Sequence, residues 1–314
     1  MRAVVLVEKG NSRTAVFTER PDPVPTAHEL LVAATHAGLN PADLLQRAGR
    51  HQPPPGSPPD IPGLEVAGTV IAVGPGVSRW RTGDRVFGIL GGGGLADRVC
   101  VPESQVVPVP QNLDDVQAAA VPEVFVTAHD ALFTIAELGM GETLLVNGAN
   151  GGVGTAAVQL GAAAGARVLA TVRASGVAER LRGLGGERVA LAAVRDVDVV
   201  LELIGAPNVA QDLDALAVGG RIVVVGTGAG ASAGLDLRTL MSKRARIIGT
   251  ALRARLPEEK AAAVRAFAHA VVPLLAVGRV HPVIDHIVPA EQVEEAFEDL
   301  ASAGKFGKVL LRFV

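Results

Sequence analysis

Residues Thr143–Gly154 read TLLVNGANGGVG, an apolar run ending in a cluster of glycines. The group that those glycines make room for decides both the fold and the chemistry. A glycine-rich match alone carries little weight. Here an apolar strand precedes the glycines, a small-residue helix (GTAAVQLGAAAGA, residues 154–166) follows them, and a second strand, Arg167–Val172, comes next. That order is the strand–turn–helix–strand context of a dinucleotide fingerprint. In the register Ala149-x-Gly151-x-x-Gly154, residue 149 makes the tight turn, Gly151 lets backbone approach a pyrophosphate, and Gly154 lets helix pack on strand. Gly152 and Val153 fall at the helix N-terminus, whose free N–H groups and positive dipole end suit an anion. No Lys-Ser/Thr pair follows the glycines, which excludes a Walker-type triphosphate loop.

The end of the second strand bears on which dinucleotide is held. A site for NAD places Asp or Glu there to accept from the ribose hydroxyls, whereas a 2′-phosphate needs the acid absent and a cation present. The strand ends Thr171-Val-Arg-Ala-Ser175. It carries no acid, and Arg173 and Ser175 offer charge and hydrogen bonds, so NADPH is the expected cofactor.

Beyond this unit the βα rhythm continues, with strands predicted at Val197–Ile204, Arg221–Val225 and Arg246–Gly249, the mark of a parallel, doubly wound sheet. Residues 1–118 have another texture. Short runs such as AVVLV, ELLVAAT, VAGTVIAVG, DRVFGIL and DRVCVP are separated by Gly, Pro and Asp turns, and HQPPPGSPPDIPG (residues 51–63) reads as an extended, polyproline-like loop. From about residue 270 short β runs return (RVHPVIDHIVP, KVLLRFV) around a predicted helix Ala290–Ala303. The expectation is a β-rich domain made from both ends of the chain, 1–120 and 270–314, with a Rossmann-type α/β domain at 121–269 inserted between.

At 314 residues, 49% hydrophobic, the chain is long enough for two cores. The formal charge of −3 and the absence of long basic runs argue against nucleic acid and lipid as partners. Neither a signal-peptide pattern nor a run of membrane-spanning length is seen, and a cytoplasmic protein is expected. Cys100 is the sole cysteine, which rules out an intrachain disulfide and a cysteine-cluster metal site. The chain has no Tyr, so mechanisms with a tyrosine proton donor are excluded.

The stretches GLNPADLLQRAGRHQPPPG, IPGLEVAGTVIAVGPGV, GDRVFGIL, QAAAVPEVFVTAHDAL, NGANGGVGTAAVQLGAAAGA and GKFGKVLL are spread over almost the whole length. With them the sequence resembles the zinc-independent quinone oxidoreductase branch of the medium-chain dehydrogenase/reductase superfamily, and within it the p53-inducible quinone oxidoreductase-like group. The resemblance implies a Rossmann-type sheet inserted in a GroES-like domain. It implies that Asn40 and Thr127 lie beside the nicotinamide, that Gly151, Gly152, Val153 and Gly154 carry the pyrophosphate, and that Ile204, Gly226, Leu252 and Lys308 line the cofactor cleft. It also implies a homodimer, with the edge run RARIIGTAL (residues 244–252) pairing across a two-fold axis. Where zinc enzymes of the superfamily have a Cys and a Gly-His-Glu, this chain has Asn40 and Gly63-Leu-Glu65, so no metal is expected. Without that Lewis acid, reduction of an electron-poor acceptor becomes the natural chemistry.

Two departures from the family stand out. His51 occupies a position where relatives often carry Tyr. The connection from Leu184 to Val197 is short and lacks a Tyr that helps hold the adenosine phosphate, leaving Arg188 or Arg195 to compensate. The expected reaction is hydride transfer from NADPH to a quinone, whose reduced form takes its proton from water. Reduction of an enoyl or 2-alkenal double bond is the alternative; it needs a hydrogen-bond donor to the developing oxyanion, a part open to Asn40 or His51. A third possibility is an NADPH-binding protein with little turnover. Asp43 reads as a helix-start charge, Glu65 as a backbone anchor or partner of an Arg, Cys100 as a strand interior residue and His129 as packing. His281 and His286 lack metal-like spacing, and glycines 91–94 read as a mobile turn.

Overall fold

The chain, seen in a computed structural model, is described at residues 1–10, 12–173, 175–302 and 304–313, the Ser175 side chain excepted. Its largest sheet has six strands, all paired in parallel, in the order Gly186–Arg188, Arg167–Thr171, Thr143–Asn147, Val197–Glu202, Leu216–Val224 and Arg246–Gly249. The first strand in sequence therefore sits beside the fourth, and the order reverses between them as in the doubly wound dinucleotide-binding fold. Leu144, Leu145, Val146, Val199, Val200 and Leu201 are fully buried. Helices on both faces turn these strands into continuous apolar runs rather than alternating ones. The helix Gly152–Ala163 comes close because its facing residues are small; a Cβ on Gly161 would lie 2.8 Å from Leu144 Cδ2.

Strand ends differ from the sequence reading. Val197–Ile204 stops at Glu202, and the fifth strand begins at Leu216 rather than Arg221. The strand Gly186–Arg188 was not foreseen; with three residues it has no readable alternation.

The second unit has three antiparallel or mixed sheets. Arg98–Pro102, Glu29–Ala33, Glu65–Val73, Arg85–Ile89 and Val106–Pro108 form a five-stranded antiparallel sheet. Arg2–Lys9 and Ser12–Glu19 form a hairpin. Near the carboxyl terminus, Lys308–Arg312 pairs with Ile284–Pro289 on one side and with His36–Gly38 on the other, so both ends of the chain build this GroES-like unit. Compact grouping assigns it Met1–Val126, Leu252–Gly278 and Pro282–Val314. The helix Pro257–Ala270 is thus part of it: Phe267 packs on Phe87 with ring centroids 5.9 Å apart. The chain returns by Leu252, earlier than the residue 270 read from texture. The predicted helix Ala290–Ala303 is a 3-10 turn, Ala290–Gln292, followed by the helix Val293–Ala301, with Ala303 outside the described residues.

Glycines 91–94 are not the mobile turn expected. Gly92, Gly93 and Gly94 are buried, and a Cβ on Gly91 would lie 2.6 Å from the Pro54 ring. The proline-rich loop lies against this turn and leaves no room for side chains.

Candidate active site

The glycine turn has Gly151 open and Gly154 tightly packed. Gly151 is the N-cap of the helix Gly152–Ala163, and a Cβ there would meet nothing closer than the Gly148 carbonyl oxygen at 3.7 Å. A Cβ on Gly154 would collide with that same oxygen and lie 2.6 Å from Ala149 Cα. Gly151 leaves open space above the turn, and Gly154 is the packing glycine. The tight turn itself falls on Gly148, at φ +79°, rather than on Ala149; the left-handed region needs a residue without Cβ. The N–H groups of Gly152, Val153 and Gly154 have no acceptor inside the helix.

Gly148 and Ile204 touch, since a Cβ on Gly148 would lie 2.8 Å from Ile204 Cδ1. Gly226 donates its N–H to the Glu202 carbonyl at 3.2 Å, and any side chain there would strike the Leu203 carbonyl. The loops carrying residues 148–154, 204 and 226 therefore meet at the C-terminal edge of the sheet where the strand order reverses, the usual ligand crevice of such folds.

Arg173 is exposed just past the second strand and has no salt bridge among the described residues. Ser175 opens a 3-10 turn, Ser175–Val177, but its side chain lies outside the described residues. Arg188 ends the neighbouring parallel strand, opposite Ala170, and so stands on the same edge as Arg173. Arg195 precedes Val197, at the opposite edge, and donates to the carbonyls of Ala192 (2.9 Å) and Val194 (2.6 Å). Of the two compensating arginines considered, geometry leaves Arg188.

Thr127 and His129 lie on the helix Pro122–His129, which widens directly into a π-helix, Asp130–Ile135. The Thr127 hydroxyl and His129 Nδ1 are buried and lack hydrogen-bond partners among the described residues. Leaving a buried polar group unpaired costs about 1–3 kcal/mol, so the Thr127 hydroxyl is a costly feature that packing alone does not explain. The His129 ring packs on Phe133 at 5.3 Å, and burial lowers its proton affinity.

In the GroES-like unit a buried polar network surrounds Asn40. Lys308 Nζ lies 2.5 Å from Asn40 Oδ1 and 2.5 Å from Glu65 Oε1. Asn40 Nδ2 donates to Glu65 Oε1 at 3.0 Å and to the Gly38 carbonyl at 3.3 Å. An ammonium only donates and a carboxylate only accepts, which fixes the orientation of the amide. Both amide hydrogens are thus engaged, and Asn40 has no free donor for a developing oxyanion. Glu65 Oε2 accepts from the Glu123 backbone N–H at 3.0 Å, so Glu65 is indeed a backbone anchor but pairs with a Lys rather than an Arg. Asp43 is the helix-start acid expected, in the first turn of the helix Pro41–Arg47; it is fully buried, accepting from the N–H groups of Asn40 (2.8 Å) and Gly63 (2.9 Å), and burial pushes its pKa up to about 6.

Two residues overlooked in the sequence stand out here. Burial, then the charge of Glu65, pushes the Glu123 carboxyl up to about 8, so it is neutral at physiological pH. Arg253 is buried and donates to Gly91 O (2.8 Å), Gln46 Oε1 (2.5 Å) and His51 O (3.4 Å). Burial and then Arg253 lower the proton affinity of His51, which weakens its case as an acid. Leu252, next to Arg253, is buried. Cys100 is pushed up to about 11 by burial and is no nucleophile. His281 is held through its backbone by Gln159, and His286 sits between Asp285 and Asp299. Among the described residues no helix is long and apolar enough to cross a membrane.

A Rossmann-type sheet with a glycine turn at its switch point, inserted in a GroES-like unit, defines a medium-chain dehydrogenase/reductase. Comparison agrees: residues 26–111 match the alcohol dehydrogenase GroES-like domain family and residues 176–311 the zinc-binding dehydrogenase family. The chain is 33% identical to a quinone oxidoreductase of Rattus norvegicus, covering 99% of this chain and 97% of that one. It is 31% identical to an acryloyl-coenzyme A reductase of Metallosphaera sedula, covering 99% of each. Among solved structures it is similar to a quinone oxidoreductase from Coxiella burnetii, with a TM-score of 0.82, 26% identity and coverage of 100% and 99%. The chain belongs to the quinone oxidoreductase-like proteins of the medium-chain dehydrogenase/reductase family and is an oxidoreductase.

Proposed function

We propose that the protein is a zinc-independent quinone oxidoreductase that uses NADPH. The observation that carries this reading is Lys308, whose ammonium already occupies the cation's place between Asn40 and Glu65. Those residues stand where the resemblance puts zinc ligands. A fixed positive charge there disfavours a divalent ion and leaves no Lewis acid for alcohol oxidation. Bound NADPH supplies the hydride. The chain's own residues bind and orient: the N–H groups of Gly152–Gly154 take the pyrophosphate, Arg173 and Arg188 the 2′-phosphate, and the Thr127 hydroxyl the nicotinamide carboxamide. Asn40, held rigid by Lys308 and Glu65, acts as a shaped wall rather than an acid, and within the nucleotide-binding unit Ile204 and Gly226 border the glycine turn. A quinone suits such a site because its reduced form needs no strong acid from the protein.

One observation favours a second reading. Glu123 keeps a neutral carboxyl in the same network as Asn40, a proton source that an enoyl or alkenal reduction requires. Steady-state oxidation of NADPH and NADH by chelator-treated protein, with a naphthoquinone, a benzoquinone and a 2-alkenal, plus an alcohol in reverse, separates the readings. Turnover of quinones is expected. Faster turnover of the alkenal would transfer the assignment to double-bond reduction, and tight binding without turnover would leave a binding protein.

Replacing Arg173 with Glu is expected to weaken NADPH about 10- to 100-fold relative to NADH, the worth of one charge-assisted contact at about 1.5–3 kcal/mol. Unchanged selectivity in kcat/KM would remove Arg173 from the site. The strand Arg246–Gly249 is an unpaired edge bearing the exposed Ile247, with Leu237 and Met241 exposed on the preceding helix. Such an edge is an aggregation liability unless covered, and a homodimer is expected; light scattering that finds only monomer would refute it.

A further inference from the structure

Beneath the three loops of the nucleotide crevice lies a buried carboxyl pair with no role in the steps above. Asn147, Thr171 and Glu202 fall in one row across the ends of three adjacent strands. Asn147 Nδ2 donates to Glu202 Oε2 at 2.7 Å and to Asp212 Oδ1 at 2.6 Å, while Thr171 Oγ1 donates to Asn147 Oδ1 at 2.7 Å. With both its hydrogens and its oxygen engaged, Asn147 clamps the two acids together. Glu202 in turn accepts from the N–H groups of Ile204 and Gly205 (the latter at 2.6 Å) and from Asn208 Nδ2 at 3.1 Å. It therefore holds the whole turn from Ile204 to Asn208, and its carbonyl accepts from Val225 and Gly226. Asp212, on the helix Ala206–Ala215, is completely buried, and its Oδ2 has no partner among the described residues.

Two ionised carboxyls cannot share such a site, because each would face the other's charge out of reach of water. We propose that Asp212 is a positioning residue: by sharing one proton with Glu202 it locks the Ile204–Asn208 turn in the form that receives the dinucleotide, so that cofactor binding lapses as this proton leaves in alkaline solution. The inference rests on the dinucleotide reading of the crevice. Burial, and then the Glu202 carboxyl held beside it by Asn147, push the Asp212 carboxyl up to about 8, in line with a proton held there at neutrality. Other charges on the elements packed around it are already engaged. Asp198 accepts from the Thr143 N–H, Arg221 pairs with Glu142, and Lys243 donates to the carbonyls of Asp214 and Leu216.

The sign of the effect follows from proton counting. Between the ordinary carboxylate range and about pH 8 the folded chain binds a proton that the unfolded chain has released, so stability falls as pH rises and the contribution is lost above about 8. If the lock governs binding, the NADPH dissociation constant rises toward tenfold per pH unit above that point. Asp212→Asn keeps the donor to Glu202 without a titrating proton.

The test measures NADPH binding by fluorescence titration and melting of the cofactor-free protein, both from pH 6 to 10, for wild type, Asp212→Asn and Glu202→Gln. The expected result is a wild-type dissociation constant that rises above about pH 8 and a wild-type melting temperature that falls from pH 6 to about 8 and levels off above it, with flat profiles in both variants. Superimposable profiles for wild type and Asp212→Asn overturn the proposal. A wild type that binds no NADPH even at pH 6 overturns the dinucleotide reading and the proposed function of the lock with it. A difference confined to the melting profiles, with binding equally pH-dependent in all three proteins, leaves the pair a structural element and likewise overturns its role in positioning.

Discussion

Exchange of Lys308 for Met is expected to remove about 3–5 kcal/mol of stability, the typical cost of stranding one charge of a buried pair. The Lys308 and Glu65 side chains are 3% and 1% exposed, so water cannot replace the lost ammonium. Glu65 would keep its bonds to Asn40 and to the Glu123 N–H, but these are neutral donors facing a full charge. A domain stable by about 5–15 kcal/mol cannot absorb such a loss lightly. Adding Glu65→Gln to Lys308→Met should recover much of it, because removing both charges abolishes the stranded one. Denaturant midpoints for the single and double variants decide the matter. A single-variant loss below about 1 kcal/mol, as for an exposed pair, would mean that water reaches the network and that Asn40 is not rigidly held.

The second large effect is expected at Gly154. A valine there would drive its Cβ into the Gly148 carbonyl oxygen and to within 2.6 Å of Ala149 Cα, and backbone atoms cannot swing aside as a flexible side chain can. The helix and turn must separate, at about 1–3 kcal/mol of strain. That separation tilts the N–H groups of residues 152–154 away from the proposed pyrophosphate position, and loss of even one charge-assisted contact there is expected to weaken binding by on the order of 10- to 100-fold. Gly151→Ala supplies the contrast. Its added Cβ meets only ordinary contact at 3.7 Å, so the variant should melt like wild type while losing NADPH affinity by occupying the space above the turn. Equal melting temperatures for Gly154→Val and wild type would show that the turn has slack enough to take the side chain.

Periodicity made the parallel sheet legible from sequence, because strands such as Leu144–Val146 are apolar without interruption and small-residue helices separate them. The fingerprint was legible for the same reason, though its register slipped by one at the tight turn, where Gly148 rather than Ala149 takes the positive φ. Charge partners were not legible. Lys308 and Asn40 are separated by 268 residues and Arg253 and Gln46 by 207, and no local pattern announces a pairing of that span. Glu123 reads in VPEVF as an ordinary acid at a helix start; only folding reveals the Glu65 carboxylate beside it and the burial that keeps it neutral. Asp43 was read correctly as a helix-start acid, but its burial and its bond to the Gly63 N–H were hidden for the same cause. Asn40 was given spare hydrogen-bonding capacity that Lys308, Glu65 and Gly38 consume.

The neutral acids also alter how the whole particle behaves as a colloid. Counted formally, the chain carries −3 at pH 7. With the Glu123 and Asp212 carboxyls both pushed up to about 8, most of two negative charges is withheld at neutrality, and the net charge is expected to be smaller than the formal −3. His286, whose proton affinity is raised by Asp285 and Asp299, moves it further in the same direction. Mutual repulsion between molecules is therefore weakest close to neutrality, where a count of residues would have placed a mildly acidic protein. Its isoelectric point should focus above the 6.2 that composition gives, and concentrated stocks should be clearest on the alkaline side, where the buried protons depart and repulsion returns.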